Sequence, residues 1–250
     1  MNTVLITGCS SGFGVEIARH FLDQGWKVIA TMRTPREDVL PASDRLRILP
    51  LDVTNAQSIE RAIHDAGPID VLVNNAGIGL LSIFEATPVQ AYRDIFETNT
   101  IGLMAMTRAV LPQFRERRAG VIVNVASTVT LKALPLLPVY TASKAAVVSF
   151  TECLALELQP LNIRAKVVLP GLAPDTQFGA NAMPRLTQDF PEEYQPMLAG
   201  VLSGFENYSG PVTRASQVAD AVWQAATDPQ APWRMPAGDD AVELFNAQAK

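Results

Sequence analysis

Short apolar runs alternate with longer amphipathic stretches along nearly the whole chain, and this rhythm restricts the fold more than any other feature. The runs are Thr3–Thr7, Lys27–Met32, Leu46–Leu51, Asp70–Asn74, Gly120–Ala126 and Ile163–Leu169. Most are rich in Val and Ile, the pattern of strands buried on both faces of a parallel sheet. Between them, Phe13–Gln24, Ala56–Asp65, Val89–Arg117, Val139–Gln159 and Ala215–Thr227 read as helices. Strand and helix in alternation predict an α/β protein of three layers, with a doubly wound parallel sheet and right-handed crossovers. At 250 residues the chain is expected to form one domain, 1–250. A chain of that size removes roughly 70–75% of its unfolded surface from water.

Boundary residues agree with this reading. Thr54 and Asn55 can cap a helix, and Gly25 and Gly67 stand where helices should stop. Pro88 and Pro138 stand at helix starts. The rhythm fails between Pro170 and Pro211, where six prolines and five glycines fall without a period. A long irregular insert in a compact domain is usually functional. The expectation is a lid of short helices, about 172–210, over a pocket.

Composition narrows the function classes. Hydrophobic residues at 48% and charged residues at 18% exclude a disordered chain. Twenty basic against twenty-five acidic residues leave a net charge of −5, so no global positive field favours nucleic acid or a membrane surface. Cys9 and Cys153 form neither a disulfide framework nor a metal-ligand cluster, and no metal is expected. The chain starts directly in an apolar strand, without the basic start and longer apolar stretch of a signal peptide. No apolar window is long enough to span a membrane. These features predict a cytoplasmic protein.

The chemistry gathers at strand ends. The first strand runs into Thr7-Gly8-Cys9-Ser10-Ser11-Gly12-Phe13-Gly14 and then into a helix. Glycines let the chain turn tightly and let its backbone approach a pyrophosphate, which the helix N-terminus then favours. Gly8, Ser10, Ser11, Gly12, Phe13 and Gly14 are therefore candidate cofactor-binding residues. An NAD site places a carboxylate about 20 residues beyond such a turn, for the ribose 2′-hydroxyl. Counting from Gly12 reaches Met32 and then Arg33. A guanidinium there would pair with a 2′-phosphate, so NADP(H) is expected over NAD(H). Thr31, Thr34 and Arg36 could add contacts. Asp52 and Val53 follow the third strand, and Asp52 could accept from the adenine amino group. Asn74, Ala76 and Gly77, from the run Asn74-Asn75-Ala76-Gly77, would lie close to the adenosine. All these positions lie at C-terminal strand ends, where open α/β sheets bind ligands.

Ser127 follows the fifth strand, and Tyr140 and Lys144 stand four residues apart on one helix face. A tyrosine ordinarily titrates near ~10, too high for efficient proton exchange at neutral pH. A neighbouring ammonium is expected to lower that value. The trio thus offers a proton donor or acceptor, a tuning charge and a hydroxyl to orient a carbonyl.

Taken together, these motifs make the chain similar to the short-chain dehydrogenase/reductase family, in its single-domain branch. The resemblance runs from Thr3 to about Gly238 and rests on the glycine turn, Asp52, Asn74-Asn75-Ala76-Gly77, Asn99, Ser127, Tyr140-Thr141-Ala142-Ser143-Lys144 and Pro170-Gly171, in that order. It implies a Rossmann-type fold and hydride transfer between NADP(H) and a carbonyl or alcohol. Tyr140 would be the general acid in reduction and the general base in oxidation. Lys144 would bind the nicotinamide ribose and depress the tyrosine pKa. Ser127 would hydrogen-bond the substrate oxygen, and Asn99 would hold a water linking Lys144 to solvent. Pro170 and Gly171 would lie beside the nicotinamide. A homodimer or homotetramer through the fourth and fifth helices is implied as well.

The chain departs from the family pattern in places. Asp175 stands where a threonine is common, with Thr176 next to it, and the glycine turn lacks a basic residue. Leu80, Leu131, Leu134, Leu136, Leu137, Phe178, Met183, Met197 and Phe205 are candidate pocket residues. They favour a hydrophobic ketone or aldehyde, or the alcohol, over a charged substrate, and no basic residue presents itself for a substrate phosphate or carboxylate. The expected activity is carbonyl reductase or alcohol dehydrogenase. The alternatives are an epimerase or dehydratase on the same sheet, or a non-catalytic NADP-sensing protein.

Overall fold

The computed structural model describes residues 1–176 and 191–248. The strands β1 (Thr3–Thr7), β2 (Lys27–Met32), β3 (Leu46–Pro50), β4 (Val71–Asn74), β5 (Gly120–Val125), β6 (Ile163–Pro170) and β7 (Arg234–Ala237) form one sheet. Its order is β3-β2-β1-β4-β5-β6-β7, parallel at every pairing. The order reverses between β1 and β4, which creates a crevice at their carboxyl ends.

Successive strand residues face opposite layers, so each strand feeds two cores. Val4 and Ile6 of β1 join Val28, Val73 and Val123 on the side covered by α1 (Gly12–Asp23) and a helix at Ala215–Thr227. Leu5 joins Leu72 and Ile122 on the side covered by α2 (Ala56–Ala66), α4 (Gly102–Arg117) and α5 (Pro138–Leu158). Phe21, Trp26 and Trp223 meet edge to face, with centroids 5.0–5.6 Å apart, and lock α1 onto its neighbouring helix.

The expected helix over Val89–Arg117 is α3 (Val89–Phe96), a single π turn (Glu97–Ile101) and α4. Gly102 opens α4 against Val53, where a Cβ would lie 2.8 Å from the Val53 carbonyl oxygen. Among the described residues, the α-helices after β6 are α6 (Gln195–Glu206), α7 (Ala215–Thr227) and α8 (Asp239–Gln248).

Two elements carry no clear sequence signal, β7 and α8: Arg-Met-Pro-Ala has no Val/Ile signature, and an edge strand tolerates Pro236. In the described part of the insert, α6 runs for 12 residues and packs Leu198, Val201 and Leu202 in a cluster with Ile83 and Leu136. No helix among the described residues is long and apolar enough to cross a membrane.

Candidate active site

A cleft of about 1640 Å³ runs along the carboxyl rim of the sheet. Its floor is the turn from β1 to α1. Gly8 and Gly12 have φ of +77° and +58°, a region that glycine enters without cost. A Cβ on Gly8 would lie 2.8 Å from the Ala76 Cα, and one on Gly14 would overlap the Gly8 carbonyl. The Thr7 hydroxyl accepts from the amides of Asn75 and Ala76 at 3.0 and 2.9 Å. The Asn75 carboxamide donates to the carbonyls of Thr7 at 2.9 Å and Gly8 at 3.2 Å. These bonds tie β1 to β4 across the reversal point. Ser11 caps α1 without a side-chain bond to its amides. Ser10, Ser11, Gly12 and Phe13 line the cleft, so the positive end of the α1 dipole opens into it. Burial pushes the Cys9 thiol in this turn up to about 12, which leaves it inert at neutral pH.

At one end of the cleft, Arg33 is exposed on the rim just beyond β2. Arg36 donates to the Ser10 carbonyl at 2.9 Å and braces the glycine turn. Thr31 is buried and donates to the Ile6 carbonyl at 3.0 Å, outside the cleft lining. Asp52 and Val53 both line the cleft, and the Asp52 carboxylate accepts from the amide and hydroxyl of Thr54 at 3.0 and 2.7 Å. Ala76 and Gly77 line the cleft as well. Asn74 does not. Its side chain is buried and donates to Thr107 at 3.0 Å and Asn124 at 2.9 Å, so it stitches β4 to β5 and α4. The cleft-lining asparagine is Asn75, which the sequence reading passed over.

At the other end stand Ser127, Tyr140 and Lys144, all lining the cleft. Tyr140 and Lys144 lie one turn apart on α5, and Ser127 follows β5 and hydrogen-bonds Tyr140. The Lys144 ammonium donates to the Val125 carbonyl at 3.0 Å. Burial pulls Lys144 down from its ordinary 10.5 to about 8. Burial also pushes the Tyr140 hydroxyl well above its ordinary range, against the smaller lowering effect of Ser127. The expected depression of the phenol by Lys144 is thus overturned, because desolvation of a buried phenolate outweighs it.

Asn99 sits in the π turn and is fully buried behind the cleft wall. It accepts from the Ile78 amide at 2.8 Å and donates to the Ile78 carbonyl at 3.0 Å and the Ser143 hydroxyl at 3.1 Å. A Cβ on Gly77 would lie 3.3 Å from Asn99 Oδ1 and 3.4 Å from Lys144 Nζ, so a side chain there would crowd both groups.

Pro170 and Gly171 line the cleft at the end of β6. Thr176 lines it too and lies over the glycine turn, 3.6 Å from where a Gly12 Cβ would stand. Of the nine candidate pocket residues, Leu134, Leu137 and Phe205 line the cleft. Leu80, Leu131 and Leu136 are core residues, and Met197 packs beside Leu136. Phe178 and Met183 lie outside the described residues. Lys132 lines the cleft, contrary to the expectation that no basic residue presents itself there.

Comparison with known proteins agrees with this geometry. The short chain dehydrogenase family model matches residues 2–186. A 3-ketodihydrosphingosine reductase of Bacteroides thetaiotaomicron is 39% identical over 67% of this chain, an alignment that spans 62% of that protein. The uncharacterized oxidoreductase YusZ of Bacillus subtilis is 34% identical over 89% of this chain and 84% of its own. A closed form of serine dehydrogenase complexed with NADP+ superposes with a TM-score of 0.82 at 32% identity, covering 95% of each chain.

Proposed function

Since the chain belongs to the short-chain dehydrogenase/reductase family of oxidoreductases, we propose that it uses NADP(H) to interconvert a hydrophobic ketone or aldehyde and the corresponding alcohol. The observation that carries this reading is the convergence of Ser127, Tyr140 and Lys144 in the cleft that the glycine turn floors.

The residues present fit a dinucleotide. The backbone at Gly8, Ser10, Ser11, Gly12 and Phe13 would hold its pyrophosphate, and Asp52, Val53, Ala76 and Gly77 would flank its adenosine. Lys144 would bind the nicotinamide ribose, with Pro170 and Gly171 beside the ring. When bound, the nicotinamide gives or takes the hydride. Tyr140 donates its proton to the carbonyl oxygen in reduction and takes it back in oxidation. A phenol raised by burial holds that proton throughout the neutral range, so Tyr140 stands in its donor form. Ser127 orients the substrate oxygen beside Tyr140. Arg33 on the rim, with no carboxylate ending β2, supports NADP(H) over NAD(H). The serine dehydrogenase complex with NADP+ supports a nicotinamide dinucleotide as the ligand of this cleft.

Leu81, Leu134, Leu137, Val201, Leu202 and Phe205 make an apolar wall, which supports a hydrophobic substrate. Exposed Ile101 and Leu156, beside α4 and on α5, support a homodimer or homotetramer through those helices. The unpaired Cys9 and Cys153 support a reducing, cytoplasmic setting. The test is to follow NADPH absorbance against bulky ketones, aldehydes and steroids, with NADH in parallel. NADPH-dependent reduction is expected, and no turnover across that panel with either cofactor would overturn the reading.

A further inference from the structure

Three segments distant in sequence meet at the end of β6. The Asp240 carboxylate, in the first turn of α8, accepts from the Leu172 amide at 2.7 Å and from the Thr213 hydroxyl at 2.6 Å. The Gly171 amide donates to the Thr213 hydroxyl oxygen at 3.0 Å, and the Thr213 amide to the Leu172 carbonyl at 2.7 Å. The packing leaves no slack. A Cβ on Gly171 would overlap the Asp240 carboxylate, and one on Gly238, whose φ is +110°, would overlap the Thr213 hydroxyl. Thr213 is buried, while Gly171, Leu172 and Asp240 line the cleft.

This arrangement does two things at once. Leu172 follows the end of β6 and Thr213 precedes α7, so the bonds between them clasp the two ends of the insert together beside the cleft. The same bonds fix the backbone of Gly171 and Leu172. Two short bonds to a carboxylate make the clasp stronger than neutral hydrogen bonds would.

We propose that Asp240 is a positioning residue: acting through Thr213 and the Leu172 amide, it sets the turn at Pro170–Leu172 against the nicotinamide end of the cofactor. The inference rests on the NADP(H) reading above. Asp240 itself takes no proton in the reaction, and its effect falls on cofactor geometry rather than on the Tyr140 acid.

The test compares two probes on the full chain. One is NADPH, followed by the fluorescence of its nicotinamide on binding. The other is 2′-phospho-ADP-ribose, which keeps the adenosine and pyrophosphate but lacks the nicotinamide. Asp240→Ala is expected to weaken NADPH and to reduce its fluorescence change, with turnover falling roughly tenfold to a hundredfold as the ring is misplaced. Affinity for 2′-phospho-ADP-ribose should stay the same. Thr213→Val should reproduce this split, and Asp240→Asn, which keeps one acceptor, should restore part of it. These two variants carry the test if Asp240→Ala does not fold. Equal weakening of both probes would reduce Asp240 to a structural role and overturn the proposal, as would no change in either. If the wild-type protein binds neither probe, the NADP(H) reading itself fails.

Discussion

Lys144, one turn beyond Tyr140, donates to the carbonyl of Val125 at 3.0 Å, so the last residue of β5 holds a buried ammonium one helical turn from the phenol. Burial lowers this amine to about 8, whereas in the unfolded chain it titrates near 10.5. Between those values the unfolded state binds the extra proton, so stability rises with pH. Below pH 8 the folded protein bears the full cost of a charged buried amine, roughly 3 kcal/mol. Chemical denaturation of wild type and Lys144→Met without added cofactor should show wild type gaining about that much on the variant between pH 7 and pH 10.5. Parallel curves would show that the amine is not held down.

Tyr140→Phe removes the proton donor and keeps the ring packed on α5. Turnover should fall by about 10²–10⁴, the usual contribution of a placed general acid. NADPH affinity and thermal midpoint should stay close to wild type. Near-normal rates in a steady-state assay would remove Tyr140 from the chemistry.

Arg33 is exposed on the rim beyond β2, so its loss should leave the fold intact. A charge-assisted bond to a phosphate is worth about 1.5–3 kcal/mol, or roughly ten- to a hundredfold in affinity. Arg33→Ala should weaken NADPH by that factor and leave NADH nearly unchanged, as titration calorimetry would measure. Equal losses for both cofactors would refute the phosphate contact.

Asn74 and its neighbour separate structure from binding. Asn74→Ala breaks the buried bonds to Thr107 and Asn124 and should cost about 1–3 kcal/mol in denaturant unfolding, with cofactor affinity retained. Asn75→Ala frees the Thr7 and Gly8 carbonyls beneath the glycine turn and should weaken cofactor binding. The opposite pattern would return Asn74 to the cleft.

Six of the seven strands were legible: five because a strand buried on both faces is apolar along its length, and β3, half-buried at the sheet edge, through its Leu and Ile residues. That same uniformity hid which residue at a strand end faces the cleft. Asn74 is the last residue of β4 and Asn75 the first beyond it, so the ladder fixes one side chain inside the sheet while the other is free to turn toward the cleft. Leu80 and Leu136 are chemically indistinguishable from the cleft-lining Leu134 and Leu137, and only packing sorts core from wall. The raised Tyr140 was hidden for a different reason. Spacing on the helix set Lys144 beside it, whereas the cost of desolvation depends on every group that covers it.

Local sequence determined the alternation of elements, the glycine turn after β1, the i,i+4 pair on α5 and the basic residue just beyond β2, because each depends on residues within a few positions of one another. The tertiary structure alone decided that Thr7 would lock onto Asn75, that Asp240 would clasp Leu172 from 68 positions away, and that burial would govern both Tyr140 and Lys144. Hydrogen bonds across the sheet and loss of solvent are properties of the assembled fold, and the linear order of side chains does not contain them.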